Sequence, residues 1–284
     1  METDDVAPLV AELGFGDVEV ARIEGGWASW TFDVGDTHIV RIARTDGTAA
    51  SHRREARLLP KLAAAIDFQV PVPTAFGEFR GFTYMAYRKV VGRPFQVGDD
   101  TAAVDAVLSG LHGFPVAEAA ALLDEPVDAR HWEAGYAADR DWIDSTVVPT
   151  LDDPLRELLL GRHERALRLL RDFSPTLVHG DLGTNHILVD PSTRAATGLI
   201  DFETAAIGDP SIDFVGLLIT LGDKETRRMI ERHAHEVSWK RLRFYWWMGA
   251  VHAIRYGVDN DDPSLLRDAV AGLRARIGAD EPAS

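Results

Sequence analysis

The sequence predicts an α+β chain, rich in strands up to about residue 91 and mainly helical from Gly92 onward. Three observations carry this expectation. Val18 to Ala43 alternates apolar and polar side chains, the period of a half-buried strand, with Gly25-Gly26 and Gly35-Asp36 as turn signals. From Thr101 onward, long stretches repeat apolar residues at helical spacing in helix-forming composition. One isolated β-like block, Thr176 to Phe202, interrupts them.

In order along the chain, a short helix is expected near Val6 to Leu13, then three antiparallel strands between Val18 and Ala43. Ser51 to Ala65 follows as a helix behind a serine cap, which Pro60 must end or kink because it lacks the N–H of the next helical bond. After Pro71 and Pro73, the run GEFRGFTYMAYRKVVG reads as two strands joined by a hairpin turn at Phe79-Arg80-Gly81-Phe82. Helices are expected over Thr101 to Leu111, Trp132 to Val148, Pro154 to Phe173 and Ser238 to Gly257. Within the β-like block, Thr176-Leu177-Val178, Ile187-Leu188-Val189 and a run ending at Leu199-Ile200 are short strands, and their polar neighbours fall in loops, where chemistry is presented.

Composition bounds the function. Of 284 residues, 46% are hydrophobic and 26% charged, which is the profile of a folded globular chain. A formal charge of −15 gives the wrong sign for generic nucleic-acid or anionic-membrane binding and favours a cationic partner. The absence of cysteine excludes disulfides, thiolate metal sites and cysteine nucleophiles. The start, METDDVAPLVAELGFGD, lacks the basic and apolar segments of an export signal, and no apolar run approaches a membrane span, so a cytoplasmic location is expected. A phosphate loop with Gly-Lys-Ser/Thr, a His-Glu-x-x-His helix and a Gly-x-Ser-x-Gly elbow are all missing. His233-Ala234-His235 places two imidazoles at a spacing that does not share a helix face, and reads as surface histidines.

The informative stretch is LVHGDLGTNHILVDPSTRAATGLIDFETAAIGDPSIDF, Leu177 to Phe214, in which two aspartates, Asp181 and Asp201, leave adjacent strands. Phosphoryl transfer needs a carboxylate to orient or deprotonate the attacking hydroxyl, and ligands that hold Mg²⁺ against nucleotide phosphates. Through HGDLGTNHILVD and GLIDFETAAIGDPSIDF, the chain resembles the aminoglycoside phosphotransferase superfamily, which includes aminoglycoside and macrolide kinases. The resemblance spans most of the chain and implies a two-lobed, protein-kinase-like fold. Residues 1–91 would form the β-rich nucleotide-binding lobe, and residues 92–284 the helical lobe with the catalytic loop and acceptor site.

Carried over position by position, the resemblance makes Asp181 the catalytic aspartate and Asp201 the principal Mg²⁺ ligand. His186 falls at the second metal position, where kinases usually carry asparagine and some antibiotic kinases carry histidine. Imidazole is a softer ligand than oxygen and fails when protonated, so activity should fall more steeply in acid than in a His186→Asn variant. His179 supports the loop, while Asn185 either holds substrate or shapes the turn. Asp209 and Asp213 brace the loop and cap the segment from Ser211.

For the nucleotide, ATP or GTP, the resemblance points to the hairpin EGGWASWTF. There Gly25 and Gly26 admit phosphate to the backbone, and Ser29 either offers a hydroxyl or only alternates outward. Arg41 stands where kinases have the phosphate-binding lysine, with Glu55 as its helix partner; the alternative is an ordinary surface ion pair. Tyr87, Arg88, Lys89 and Val90 form the connector against which the base lies. Acceptor candidates by location are Glu203, Asn185, Trp142, Asp144, Tyr245 and Trp246, with Trp247, His252, Asp259 and Asp261 beyond them. Trp246 and Trp247 point about 100° apart on a helix, so at least one packs in the core.

The leading expectation is an antibiotic kinase acting on an aminoglycoside-type hydroxyl, with macrolides or basic peptide antibiotics as alternative acceptors. A metabolic small-molecule kinase of the same fold and a non-catalytic binding module are the other readings. A catalytic cleft within one chain requires no dimer, and a monomer is expected.

Overall fold

The structure, a computed structural model, describes residues 1–24 and 28–278, so Gly25 and Gly26 lie outside the described residues. In chain order the elements are α1 (Thr3–Glu12), β1 (Val20–Ile23), β2 (Ser29–Val34), β3 (His38–Ala43), α2 (Asp46–Ala63), β4 (Pro73–Phe79), β5 (Phe82–Arg88) and β6 (Arg93–Pro94). There follow α3 (Ala102–His112), α4 (Val116–Leu123), α5 (Ala129–Ala138), α6 (Arg140–Trp142), α7 (Asp153–Leu169) and β7 (Thr176–Val178). The chain continues through β8 (Ile187–Val189), β9 (Ala196–Leu199), β10 (Ala206–Gly208), α8 (Val215–Arg232), α9 (Trp239–Asp259) and α10 (Pro263–Gly278). Contacts divide these into two compact units, Met1–Glu125 with His179–Ala206, and Pro126–Val178 with Ile207–Ser284.

In the first unit the three expected strands pair antiparallel and are extended by the second hairpin, giving the order β1-β2-β3-β5-β4. The β4–β5 turn has positive φ at both central residues, 51° at Arg80 and 82° at Gly81, the twist-matched hairpin geometry that Gly favours. Val40 and Ile42 of β3 pack with Phe32, Val34, Tyr84 and Ala86 against Val6, Leu9 and Val10 of α1. The period of two then sends Arg41 to the opposite face of the sheet.

Helix α2 starts five residues before Ser51, because Thr45 is extended and its Oγ1 accepts the Thr48 N–H. Pro60 is carried inside α2, which stops at Ala63 within a turn of it. The buried stripe of α2 includes His52, Glu55, Leu59 and Leu62, at the three- and four-residue spacing of one helix face.

Strands β6, β8 and β9 form a three-stranded sheet, and Gln69 bridges Gly198 of β9. A Cβ on Gly198 would stand 2.2 Å from Val90 Cγ1, so only glycine permits this approach. These pairings tie residues 92–125 and 179–206 to the N-terminal strands, and the division between units does not fall at residue 91.

The second unit is helical around a core that includes Ile143, Leu155, Leu159, Phe244, Trp247, Val251 and Leu273. Strands β7 and β10 pair within it. The single helix expected over Trp132 to Val148 is broken into α5, α6 and a wide turn, Ile143–Val147. Asp139 ends α5, and its Oδ1 accepts Trp142 Nε1–H at 2.9 Å. Helix α8 bends at Gly222, whose φ is 77°. His233 and His235 lie beyond Arg232, the last residue of α8, with ring centroids 5.6 Å apart. The helical spacing expected for them does not apply. Among the described residues no single helix is long and apolar enough to cross a membrane.

Candidate active site

The loop from His179 to His186 is shaped by close backbone contacts. Gly180 has φ of 83°, and a Cβ there would stand 2.5 Å from the Thr204 carbonyl oxygen, so the loop lies directly on the segment after Asp201. Thr204 Oγ1 donates to the His179 carbonyl at 2.9 Å, and His179 Nε2–H donates to the Ile200 carbonyl at 2.9 Å. The Ile200 N–H in turn donates to the His186 carbonyl at 3.1 Å. His179 is fully buried and its ring stacks on His186, so it supports the loop, as expected from its position.

The tautomer of His186 follows from its contacts. Its Nδ1 lies 2.8 Å from the Asp181 carbonyl, which can only accept, so Nδ1 carries the proton. Nε2 then presents its lone pair, and it lies 3.7 Å from Asp201 Oδ2. Asp201 adopts a left-handed backbone, φ 70°, that places its half-exposed carboxylate beside this ring. Asn185 folds back over Gly183, where an added Cβ would stand 2.3 Å from its Oδ1. This contact favours the turn-shaping reading of Asn185.

Arg41 and Glu55 form a buried ion pair, Nη1 to Oε2 at 3.0 Å, with side chains 8% and 2% exposed. The surface-pair alternative therefore does not describe them. Nη2 of Arg41 reaches Glu203 Oε2 at 3.0 Å and lies 4.0 Å from Asp201 Oδ1. One guanidinium thus faces three carboxylates. Burial, with help from Asp201 and Glu203, outweighs the Arg41 attraction and pushes the Glu55 carboxyl up to about 7. Glu203 is raised for the same leading reason, burial. Burial alone would lower Arg41, but the fields of Glu55, Tyr87, Asp201 and Glu203 hold it above its ordinary value and fully charged.

These groups open on one cleft of about 640 Å³, whose lining includes Ser29, Arg41, Asp181, His186, Asp201 and Glu203. Asn185, Tyr87, Lys89 and Val90 also reach it, whereas Arg88 is exposed on its own strand end and does not. Lys89 spends its ammonium on Asp33 and Asp36, at 2.6 and 2.5 Å, and donates its backbone N–H to the Thr37 carbonyl. Ser29 Oγ lies 3.1 Å from His52 Nε2, a partner that sequence reasoning missed. The available signal was the spacing of His52, three residues before Glu55 on one helix face.

In the second unit, the acceptor candidates are largely engaged with the unit itself. The Tyr245 hydroxyl is buried, donating to Asp209 Oδ2 at 2.8 Å and accepting Trp132 Nε1–H at 2.9 Å. Asp144 pairs with Arg140 at 2.7 Å, and Asp259 with Arg255 at 3.4 Å. The Trp246 ring has the guanidinium of Arg243 at 4.0 Å and that of Arg276 at 5.4 Å. Trp247 is the core member of the tryptophan pair. Trp142 lies against His252, and Asp261 is an exposed left-handed residue after α9. Asp209 is fully buried, accepting from Arg241 Nε–H at 2.6 Å and from the Ser211 N–H, the second of which is the cap expected of it. Asp213 is also fully buried.

Residues 19–247 match the model of the phosphotransferase enzyme family, APH. The chain belongs to this family. Among its phosphotransferase relatives, viomycin phosphotransferase of Streptomyces vinaceus is 27% identical over 261 residues, 85% of this chain and 88% of that one. A shorter stretch of 56 residues is 46% identical to uncharacterized protein YcbJ of Bacillus subtilis (strain 168), covering 20% of this chain and 18% of that relative's length. The solved GDP and kanamycin complex of APH(2")-IIIa is similar with a TM-score of 0.87 at 22% identity, over 99% of this chain and 100% of that one. At that identity the likeness shows the fold, the kinase-like one that the resemblance implied.

Of the donors beside Asp181, the Asp201 carboxylate is the hard oxygen ligand that suits a divalent cation such as Mg²⁺, and the His186 imidazole is a softer one. One open carboxylate, Asp201, faces an imidazole nitrogen whose tautomer leaves its lone pair available. Mg²⁺ needs few protein ligands, because it keeps waters and takes nucleotide phosphate oxygens for the rest.

Proposed function

We propose that this chain is an antibiotic kinase that transfers the γ-phosphoryl group of ATP or GTP to a hydroxyl of a cationic antibiotic. The observation that carries the reading is the gathering of Asp181, His186, Asp201 and Arg41, itself paired with Glu55, around one cleft. Arg41, held rigid by Glu55, binds nucleotide phosphates through its forked donors, a geometry that a lysine in its place would not reproduce. Backbone and ring of Tyr87 to Val90 seat the base, and Ser29 meets the phosphates. Asp201 and His186 hold Mg²⁺, which when bound neutralises charge on the transferring phosphates.

Asp181 is exposed to the cleft and acts as the catalytic carboxylate. It orients the acceptor hydroxyl and takes its proton as the oxygen bonds to the γ-phosphorus. The bond from that phosphorus to the bridging oxygen breaks, and the nucleoside diphosphate leaves with the electron pair. The nucleotide-binding residues fall within 1–91, and Asp181, His186 and Asp201 within 92–284. The enzyme works as a cytoplasmic monomer and confers resistance.

An aminoglycoside-type acceptor is supported by the fold match to a kanamycin complex and by the charge of −15, which attracts ammonium groups. The second reading, a basic peptide antibiotic, is favoured by the similarity to viomycin phosphotransferase over 85% of the chain. Turnover in a coupled assay with Mg²⁺, ATP or GTP and a panel of aminoglycosides, viomycin, macrolides and metabolic alcohols decides between them, with the product's mass as proof of transfer. Consumption of nucleotide with a metabolic alcohol alone would replace the antibiotic reading.

A further inference from the structure

Fully buried His52 on α2 is the one residue that links the helix carrying Glu55 to the strand end carrying Ser29 by a side-chain hydrogen bond among the described residues. Its two nitrogens differ. Nε2 lies 3.1 Å from Ser29 Oγ, whereas Nδ1 is buried with no hydrogen-bond partner among the described residues. A neutral imidazole carries one proton. Placing it on Nδ1 would bury an N–H with no acceptor, which is rarer and more costly in folded proteins than an unused acceptor lone pair. The proton therefore sits on Nε2 and is donated to Ser29 Oγ.

This assignment sets the polarity of the next group. A serine oxygen that accepts from His52 keeps its own O–H free to donate, and Ser29 lines the cleft beside Arg41. With the opposite tautomer, that hydroxyl proton would be spent on the imidazole, and Ser29 would turn a lone pair toward the cleft. Resting on the nucleotide-binding reading above, we propose that His52 is a positioning residue: it touches no ligand, but as the Nε2–H tautomer it makes Ser29 a hydrogen-bond donor to a nucleotide phosphate. Burial, and then the neighbouring Arg41 charge, push His52 down to about 3, so the ring stays neutral throughout the working range and the polarity is fixed.

The test combines ring-nitrogen NMR of the full-length, nucleotide-free protein with binding measurements. His52 is assigned by comparison with His52→Gln, and its Nε2 is expected to be the protonated nitrogen. Calorimetry with Mg-ATP and Mg-GTP is expected to show His52→Leu and Ser29→Ala each weakened about tenfold, the worth of one hydrogen bond to a charged phosphate. The double variant is no weaker than either, His52→Gln recovers most of the loss, and adenosine or guanosine binding is unchanged. A proton on Nδ1, wild-type affinity in His52→Leu, or equal losses in the Ser29→Ala background would each overturn the inference. If His52→Leu fails to fold, His52→Gln must retain phosphate-dependent affinity that Ser29→Ala lacks, and loss of it overturns the inference too. Wild-type protein that binds neither nucleotide would instead overturn the reading of the cleft, and the inference with it.

Discussion

Nη2 of Arg41 lies 3.0 Å from Oε2 of Glu203, so the guanidinium edge assigned to phosphate already holds a carboxylate. Glu203, read from the sequence as an acceptor contact, is bound instead to the residue meant for the donor nucleotide. A phosphate arriving without a metal ion must displace it and meets like charge from Asp201 and Glu55 as well. Glu203→Gln is therefore expected to bind Mg-free ATP or GTP several-fold more tightly, measured by calorimetry in chelator. Weaker Mg-free binding would mean that Glu203 assists the nucleotide.

The same cluster gives a pH dependence. Burial raises the folded Glu55 carboxyl from an ordinary 4.5 to about 7, so the unfolded chain releases its proton first. The stability linked to this group is full below about 4.5 and is lost as pH rises through about 7. In the absence of nucleotide and metal, the Tm of wild type relative to Glu55→Gln should fall by several degrees across that interval. A flat or rising difference in thermal melts would contradict the assignment.

Tyr245 is predicted to matter for stability and not for turnover. Its buried hydroxyl donates to the buried Asp209 carboxylate, which also carries Arg241. Tyr245→Phe removes one donor to a buried charge and should cost about 1.5–3 kcal/mol in denaturant unfolding, with kcat and the acceptor KM unchanged. A raised acceptor KM at full stability would return Tyr245 to the acceptor site.

Local patterns made much of this molecule legible. The alternation from Val18 to Ala43 announced the strands that carry Arg41, and Phe79-Arg80-Gly81-Phe82 announced the turn that has two positive φ angles. The order of polar residues from His179 to Asp213 carried the family and the loop. What stayed hidden depends on tertiary neighbours. The engagement of Glu203 with Arg41 joins residues 162 positions apart, and Tyr245 looks like any helical aromatic until Asp209 is seen beneath it. The start of α2 was misread because Ser51 has capping chemistry, whereas Thr45 has the extended backbone that a cap requires. Helix α10 was missed although Asp262-Pro263 is a cap signal, with Asp262 accepting the Ser264 and Leu265 N–H groups.

The central claim is that Asp181 does the chemistry and Asp201 holds the metal-bound nucleotide. Paired kinetics and Mg-nucleotide binding of Asp181→Ala and Asp201→Ala, with an acceptor that wild type turns over, test it most directly. Asp181→Ala is expected to lose nearly all kcat, on the order of a thousandfold or more, while keeping nucleotide affinity, and Asp201→Ala to lose both. Small, equal effects at the two positions would contradict it.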